Sequence, residues 1–352
     1  MKTLIKTLKI FFIALISIIT FIFLYLLISN KIFLGSKNQT NIDYLKNNKT
    51  TIDNNFNIQI FDNNFNTSNV ILLGEIHGFA DNQKLDEFMF KYLNKNLGFN
   101  YYIAEMDSLN SKKLNTFLNS DIKNEKLLKE VVLAIKKRIP QQSSQELLKK
   151  WSNLYDYNKT LNDSSKIVVL GIDTNFDDSN SKISRDSAMI ENFKHVISKN
   201  HLQNEKFYGL FGLFHTLQKS MNDKEKPFAE RLLDNKYKVT SIVSYTLDSE
   251  MYLPKNDQFP TPEDEKINWV NADGPMMLIK GILDFKELAE PNSISIFNLN
   301  AKNSPYRSSQ NLIKTKSRLF GENFMPKENL KTTDYFQYVA ILRNSEALTP
   351  IQ

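Results

Sequence analysis

The sequence predicts an α/β domain with a mostly parallel central sheet of about seven strands, flanked by helices and preceded by one N-terminal transmembrane helix. Two observations predict the sheet and a third the membrane segment. Val70 to Gly78 reads Val-Ile-Leu-Leu-Gly-Glu-Ile-His-Gly, four aliphatic residues running into a glycine, the pattern of a strand buried on both faces. Four apolar runs then each end in an ionisable residue: Val70–Leu73 in Glu75 and His77, Tyr101–Ala104 in Glu105 and Asp107, Ile167–Ile172 in Asp173, and Phe207–Phe214 in His215. Ile10 to Ser29 carries no charge and is long enough to cross a bilayer.

Lys2, Lys6 and Lys9 precede that segment and Asn30-Lys31 follows it, which places the N-terminus in the cytoplasm and the body on the exported side. An uncleaved signal anchor is the favoured form; cleavage near Gly35-Ser36 would instead release a secreted protein. Residues 1–33 are thus the anchor. Ser36 to Asn55, rich in Asn, Lys and Thr, reads as a solvated tether within a polar linker over 34–55, and residues 56–352 as the α/β domain.

Within the domain, Phe56–Phe61 alternates apolar and polar residues as an edge strand would. Leu85, Phe88, Met89, Tyr92 and Leu93 give helical spacing over Asp81–Leu97, with Gly98 as the stop. The strand at Tyr101 completes a β-α-β unit, so both strands present their carboxyl ends on one side and Glu75, His77 and Glu105 converge. Ser108–Leu161 reads as a helical insertion, broken at Pro140. Ser181–Ser198 is a crossover helix with Ile183, Met189, Ile190, Phe193 and Val196 on one face. Arg185, at its start, either turns into the site or makes a surface salt bridge, and spacing alone favours the surface. Further along, Phe228–Leu233 and Met276–Leu283 read as helices, Lys238–Tyr245, Ser293–Phe297 and Tyr335–Leu342 as strands, and Pro254–Gly274 as a long loop.

The net charge of +6 is spread among Asn, Asp and Glu with no basic stripe, so no nucleic acid partner is expected. Cysteine is absent, which excludes disulfides, thiolate metal sites, cysteine nucleophiles and a lipidated cysteine. Neither a Gly-x-Ser-x-Gly elbow, a His-Glu-x-x-His helix, a P-loop nor a Gly-x-Gly-x-x-Gly turn is present. What remains is the Glu and His cluster. A neutral imidazole takes a proton from water near pH 7 and a carboxylate steadies the resulting cation; the same side chains are also acceptable ligand types for Zn or Mn.

Leu73-Gly74-Glu75-Ile76-His77-Gly78, Tyr102-Ile103-Ala104-Glu105, Arg185-Asp186-Ser187-Ala188-Met189-Ile190-Glu191-Asn192 and Gly212-Leu213-Phe214-His215 resemble, in order and spacing, the erythromycin esterase-like proteins. More distantly they resemble the superfamily that also holds the ChaN haem-uptake lipoproteins and the Tiki/TraB proteases. The resemblance implies a hydrolase of an ester, lactone or peptide, acting on a small-molecule or peptide substrate. His77 would be the general base, assisted by Glu75, Glu105 and His215, with Arg185 and Asp173 as candidate substrate-binding residues. The wider superfamily implies two alternatives: a haem- or other ligand-binding protein, or a Tiki-like metalloprotease holding a divalent metal at Glu75, His77, Glu105 and His215.

Overall fold

The computed structural model describes residues 2–52, 58–176, 183–221, 225–255, 265–317 and 323–351. Its sheet has eight strands: β1 (Lys49–Thr51), β2 (Val70–Glu75), β3 (Tyr101–Ala104), β4 (Val168–Gly171), β5 (Phe207–Gly212), β6 (Val239–Leu247), β7 (Ser293–Asn298) and β8 (Tyr338–Arg343). Their order across the sheet is β1-β7-β8-β6-β2-β5-β3-β4. From β8 to β4 every pairing is parallel; β7 is antiparallel to both of its neighbours. The mixed α/β architecture with a mostly parallel sheet is therefore as the apolar runs indicated.

β2 lies in the interior of the sheet, and all six of its residues are buried. Ile71 and Leu73 pack on one face against the helix α3 (Ala80–Leu97) and the helical insertion, while Val70 and Leu72 pack on the other against α7 (Arg185–Lys199) and α8 (Phe228–Asp234). Each such side chain contributes about 1.5–3 kcal/mol by leaving water, which is why an uninterrupted aliphatic run is needed there. Gly98 ends α3 in the left-handed region at φ 72°, where a side chain would be strained. The insertion comprises α4 (Ser108–Asn119), α5 (Glu125–Ile135) and α6 (Gln145–Thr160), with a 3₁₀ turn over Pro140–Gln142 between the last two. Asn115 of α4 pairs both with the carbonyl and with the N–H of Val169 at 2.7 and 2.8 Å, occupying the open side of edge strand β4.

The expected solvated tether is folded. Residues Gln39–Asn47 form α2, and β1 follows it as the sheet's other edge, antiparallel to β7. Ile42 and Leu45 are buried, and Asp284, in α9 (Ile282–Leu288), accepts hydrogen bonds from Asn38 N and Asn41 Nδ2 at 2.8 and 2.9 Å. An Asn-rich segment that docks by side-chain hydrogen bonds has the composition of a linker, and that misdirected the expectation. The edge strand expected at Phe56–Phe61 is not one: residues 53–57 lie outside the described residues, Ile58–Ile60 is a 3₁₀ turn, and Phe61 stacks on Phe65 at 4.0 Å.

Three smaller boundaries also differ. Met277–Ile279 is a strand paired with Thr315–Ser317, and the helix begins only at Ile282, because Gly281 breaks the chain at φ 81°. α7 starts at Arg185, capped by Ser184, which leaves Ile183 exposed and residues 181–182 outside the described residues. The last strand begins at Tyr338, after a helical turn over Thr332–Tyr335. In the expected long loop, Met251–Tyr252 pairs with Lys266–Ile267, and residues 256–264 are not among those described.

The N-terminal helix α1 (Lys2–Leu34) contains a segment, Leu4–Leu34, long and apolar enough to cross a membrane, its most apolar stretch unburied by the body. This is compatible with a single-pass anchor or a signal sequence.

Candidate active site

The carboxyl ends of β2, β3, β4 and β5 lie on one rim, where ligands bind in open α/β sheets. Glu75 is the last residue of β2, and its buried carboxylate accepts a hydrogen bond from His77 Nδ1 at 2.9 Å. The turn that carries His77 is pinned on both sides. Asn82, whose Oδ1 accepts from Ser244 Oγ, donates from Nδ2 to Ile76 O at 2.9 Å, and the N–H groups of Tyr252 and Leu348 both reach Gly78 O at 2.9 Å. Gly78 has φ 104°, and a Cβ there would sit 2.6 Å from the Tyr252 carbonyl. Gly74 admits the next element in the same way: a Cβ on it would fall 2.3 Å from Thr216 Oγ1, in the 3₁₀ turn Leu213–Thr216 that carries His215.

Glu105 follows β3 and is buried. Its Oε2 accepts from Gly212 N at 2.9 Å, and its Oε1 accepts from Arg185 Nη2 at 2.6 Å with His215 Nε2 3.5 Å away. His215 Nδ1 is 2.7 Å from Asp186 Oδ1, an oxygen that also receives the Phe228 N–H at 2.6 Å. The two imidazoles face each other across Gly212. A Cβ at that position would lie 3.3 Å from His77 Nε2 and 3.5 Å from His215 Cδ2, so a glycine keeps the space between the rings open.

Carboxylates only accept, so Glu75 and Asp186 fix the proton of each ring on Nδ1 and leave both Nε2 atoms for chemistry. Burial by itself lowers the pKa of His77, but the hydrogen bond and charge of Glu75, and then the charge of Glu105, outweigh it and leave His77 above its ordinary 6.5. His215 behaves alike: burial lowers it, Asp186 and Glu105 raise it further, and the net direction is up. For Glu105, burial alone would raise the pKa, yet His215, Arg185, His77 and the Gly212 N–H together hold it below the usual carboxylate range.

Arg185 turns into the site, against the surface placement that its spacing favoured. Two buried carboxylates draw it there: Nη2 donates to Asp173 Oδ2 at 2.5 Å as well as to Glu105. Asp173 is in turn spent on this contact and on the Thr174 N–H at 2.7 Å, so it anchors Arg185 instead of offering a free acceptor to substrate.

The four candidate metal donors do not make a metal cage. Among the described residues no group of three or more His, Cys, Asp or Glu side chains is arranged to hold an ion. Glu105, the donor between the two histidines, is occupied by a guanidinium and a backbone N–H.

The fold is shared with an erythromycin esterase. A histidine-to-asparagine mutant of the erythromycin esterase EreC, in its open conformation, superposes with a TM-score of 0.60 at 11% identity over 86% of this chain and 98% of that one. A Bacillus cereus protein gives 0.62 at 11% identity over 90% of this chain and 100% of that one, and a succinoglycan biosynthesis protein 0.58 at 11% over 88% and 98%. No protein-family model matches the chain, and no curated protein matches it in sequence.

Three contributors escaped the sequence. Asp186 was visible inside a quoted motif, but nothing in helical spacing told it apart from Arg185 beside it. Gln142, whose Nε2 donates to Glu75 Oε1, sits in the turn after Pro140, where no periodicity operates. Arg138 brings a second guanidinium from the insertion, with Nε 3.9 Å from Asp173 Oδ2 and Nη2 2.9 Å from Thr174 Oγ1. His195 and His201, set aside at the end of the crossover helix, are exposed there.

Proposed function

We propose that this chain is a hydrolase of carboxylic esters or lactones, working on the exported side of a membrane to which α1 anchors it. The observation that carries this is the pair of carboxylate-held imidazoles facing each other across Gly212, with Glu105 and Arg185 beside them. A fold shared with an esterase supports the substrate class, although a fold by itself fixes no activity. His77 Nε2 takes a proton from water as the oxygen attacks the acyl carbon, and Glu75 stabilises the imidazolium that forms. His215, whose cationic form Asp186 and Glu105 favour, faces the oxygen on which negative charge develops. The ester C–O bond then breaks, the acyl carbon keeps the water's oxygen, and the departing alkoxide takes a proton from an imidazolium.

A panel of aryl and alkyl esters with the purified full chain tests this, and turnover of none of them overturns it. Prolonged incubation with a chelator is expected to leave turnover unchanged, because among the described residues no three donors are arranged around one ion; loss that Zn or Mn restores would contradict that.

The pH dependence follows from the two histidines. As the base, His77 must be neutral, so kcat/KM rises as pH passes upward through its raised pKa, giving an ascending limb above 6.5. His215 must stay protonated, so activity falls again at higher pH as it titrates. The limbs belong to the coupled pair. Glu75→Gln removes the charge that raises His77, and the ascending limb is expected to move to lower pH; a limb that stays in place would show that Glu75 does not tune the base.

A further inference from the structure

α1 does not leave the body at an arbitrary point. Lys316 Nζ donates to Ser29 Oγ at 2.7 Å and Lys280 Nζ lies 5.9 Å from the Phe33 ring; Lys316 belongs to the two-stranded ribbon formed by Met277–Ile279 and Thr315–Ser317, and Lys280 directly follows its first strand. Ser29 closes the uncharged run of the sequence, so this ribbon sits at the bilayer boundary, with Lys31, Lys280 and Lys316 placed for lipid phosphates.

The same ribbon leads to the site. Thr315 exchanges two backbone hydrogen bonds of 2.9 Å with Phe324, whose ring packs 4.8 Å from that of Phe214, the residue before His215. From side-chain reach and strand spacing, Phe324 lies within a distance on the order of 15 Å of the boundary. The described body exposes five large apolar side chains outside α1: Leu109, Ile122, Ile183, Phe214 and Met325. Phe214, at 53% exposure, is one ring of this pair, and Met325, at 45%, directly follows the other. An apolar lip that joins a histidine of the site to the foot of a membrane helix has a lipid surface as its fitting occupant.

We infer that the mouth of the site faces the bilayer and takes an amphiphilic ester whose long apolar chain lies along Phe214, Phe324 and Met325. This deepens the hydrolase reading and rests on it for the chemistry, while the placement of the mouth stands on geometry alone.

The test uses the full chain in phosphatidylcholine vesicles. Because the sequence has no cysteine, Met325→Cys and Ile122→Cys each carry a single environment-sensitive label. Brominated phosphatidylcholine is expected to quench the label at position 325 at least twofold and to leave that at 122 unchanged; equal quenching, or none at 325, overturns the bilayer-facing mouth. In the same vesicles, p-nitrophenyl palmitate is compared with the butyrate. Phe214→Ser is expected to lower the palmitate-to-butyrate ratio of kcat/KM about tenfold, the size of one lost aromatic contact. An unchanged ratio refutes the acyl-chain role. Absence of turnover on both esters sinks the hydrolytic reading and not the position of the mouth, which the label reads by itself.

Discussion

His77→Asn is expected to lower kcat by about 10²- to 10⁴-fold on any ester the chain turns over, with KM changed little and the fold kept. Asparagine occupies similar volume and can still donate to Glu75, so the hydrogen bond that holds the turn persists while the proton-accepting Nε2 disappears. The backbone anchors of that turn, Asn82 on Ile76 O and the Tyr252 and Leu348 N–H groups on Gly78 O, do not involve the imidazole. Stability by denaturant titration should therefore match the parent. His215→Asn is expected to cost kcat as well, and the double variant less than the product of the two, because both rings serve one reaction. Turnover that survives His77→Asn within a factor of two or three would remove this histidine from the chemistry, whatever the geometry around it.

What the sequence showed of this site follows from how open α/β sheets work. An aliphatic run such as Val70–Leu73 must be interior, and an ionisable residue where it stops must be at the rim, so Glu75, His77, Glu105 and His215 were placed together before any coordinates. Position along a strand is one-dimensional information, and a sequence carries that. The direction of a helical side chain at a helix start is not. Arg185 and Asp186 are neighbours on α7, yet one reaches Glu105 and Asp173 and the other reaches His215, a division set by which buried partners wait for them. Gln142 was beyond reach for a different reason. It is delivered by the insertion, more than sixty residues from the carboxylate that it touches, from a turn with no pattern of its own. The folded segment at Gln39–Thr51 was hidden by composition, since Asn38 and Asn41 dock through Asp284 and few residues, Ile42, Tyr44 and Leu45, add apolar burial.

The insertion can bring Gln142 to Glu75 only if it is fastened to the body, and beside its apolar packing the fastening has a buried ion pair. Lys150 of α6 and Asp86 of α3 are 3% and 0% exposed at their side chains, paired at 2.6 Å, with Tyr102 Oη donating to the same carboxylate oxygen at 2.8 Å. The ammonium also lies 4.8 Å from the Trp151 ring. Burial, then the nearby Asp86 charge, push the Tyr102 hydroxyl well above its usual pKa, so it remains a donor at any pH the fold survives. Lys150→Met keeps the apolar stem but strands a carboxylate in the core, and is expected to cost about 3–5 kcal/mol in denaturant unfolding. Adding Asp86→Asn removes the stranded charge while leaving an acceptor for Tyr102, so the double variant should recover most of that loss. Recovery of this kind would separate an uncompensated charge from a packing defect, whereas additive losses would mean that Lys150 matters for its stem alone. Since α6 begins three residues after Gln142, the single variant should also lower kcat, through a Gln142 no longer held against Glu75. The double variant should restore turnover in proportion to its stability.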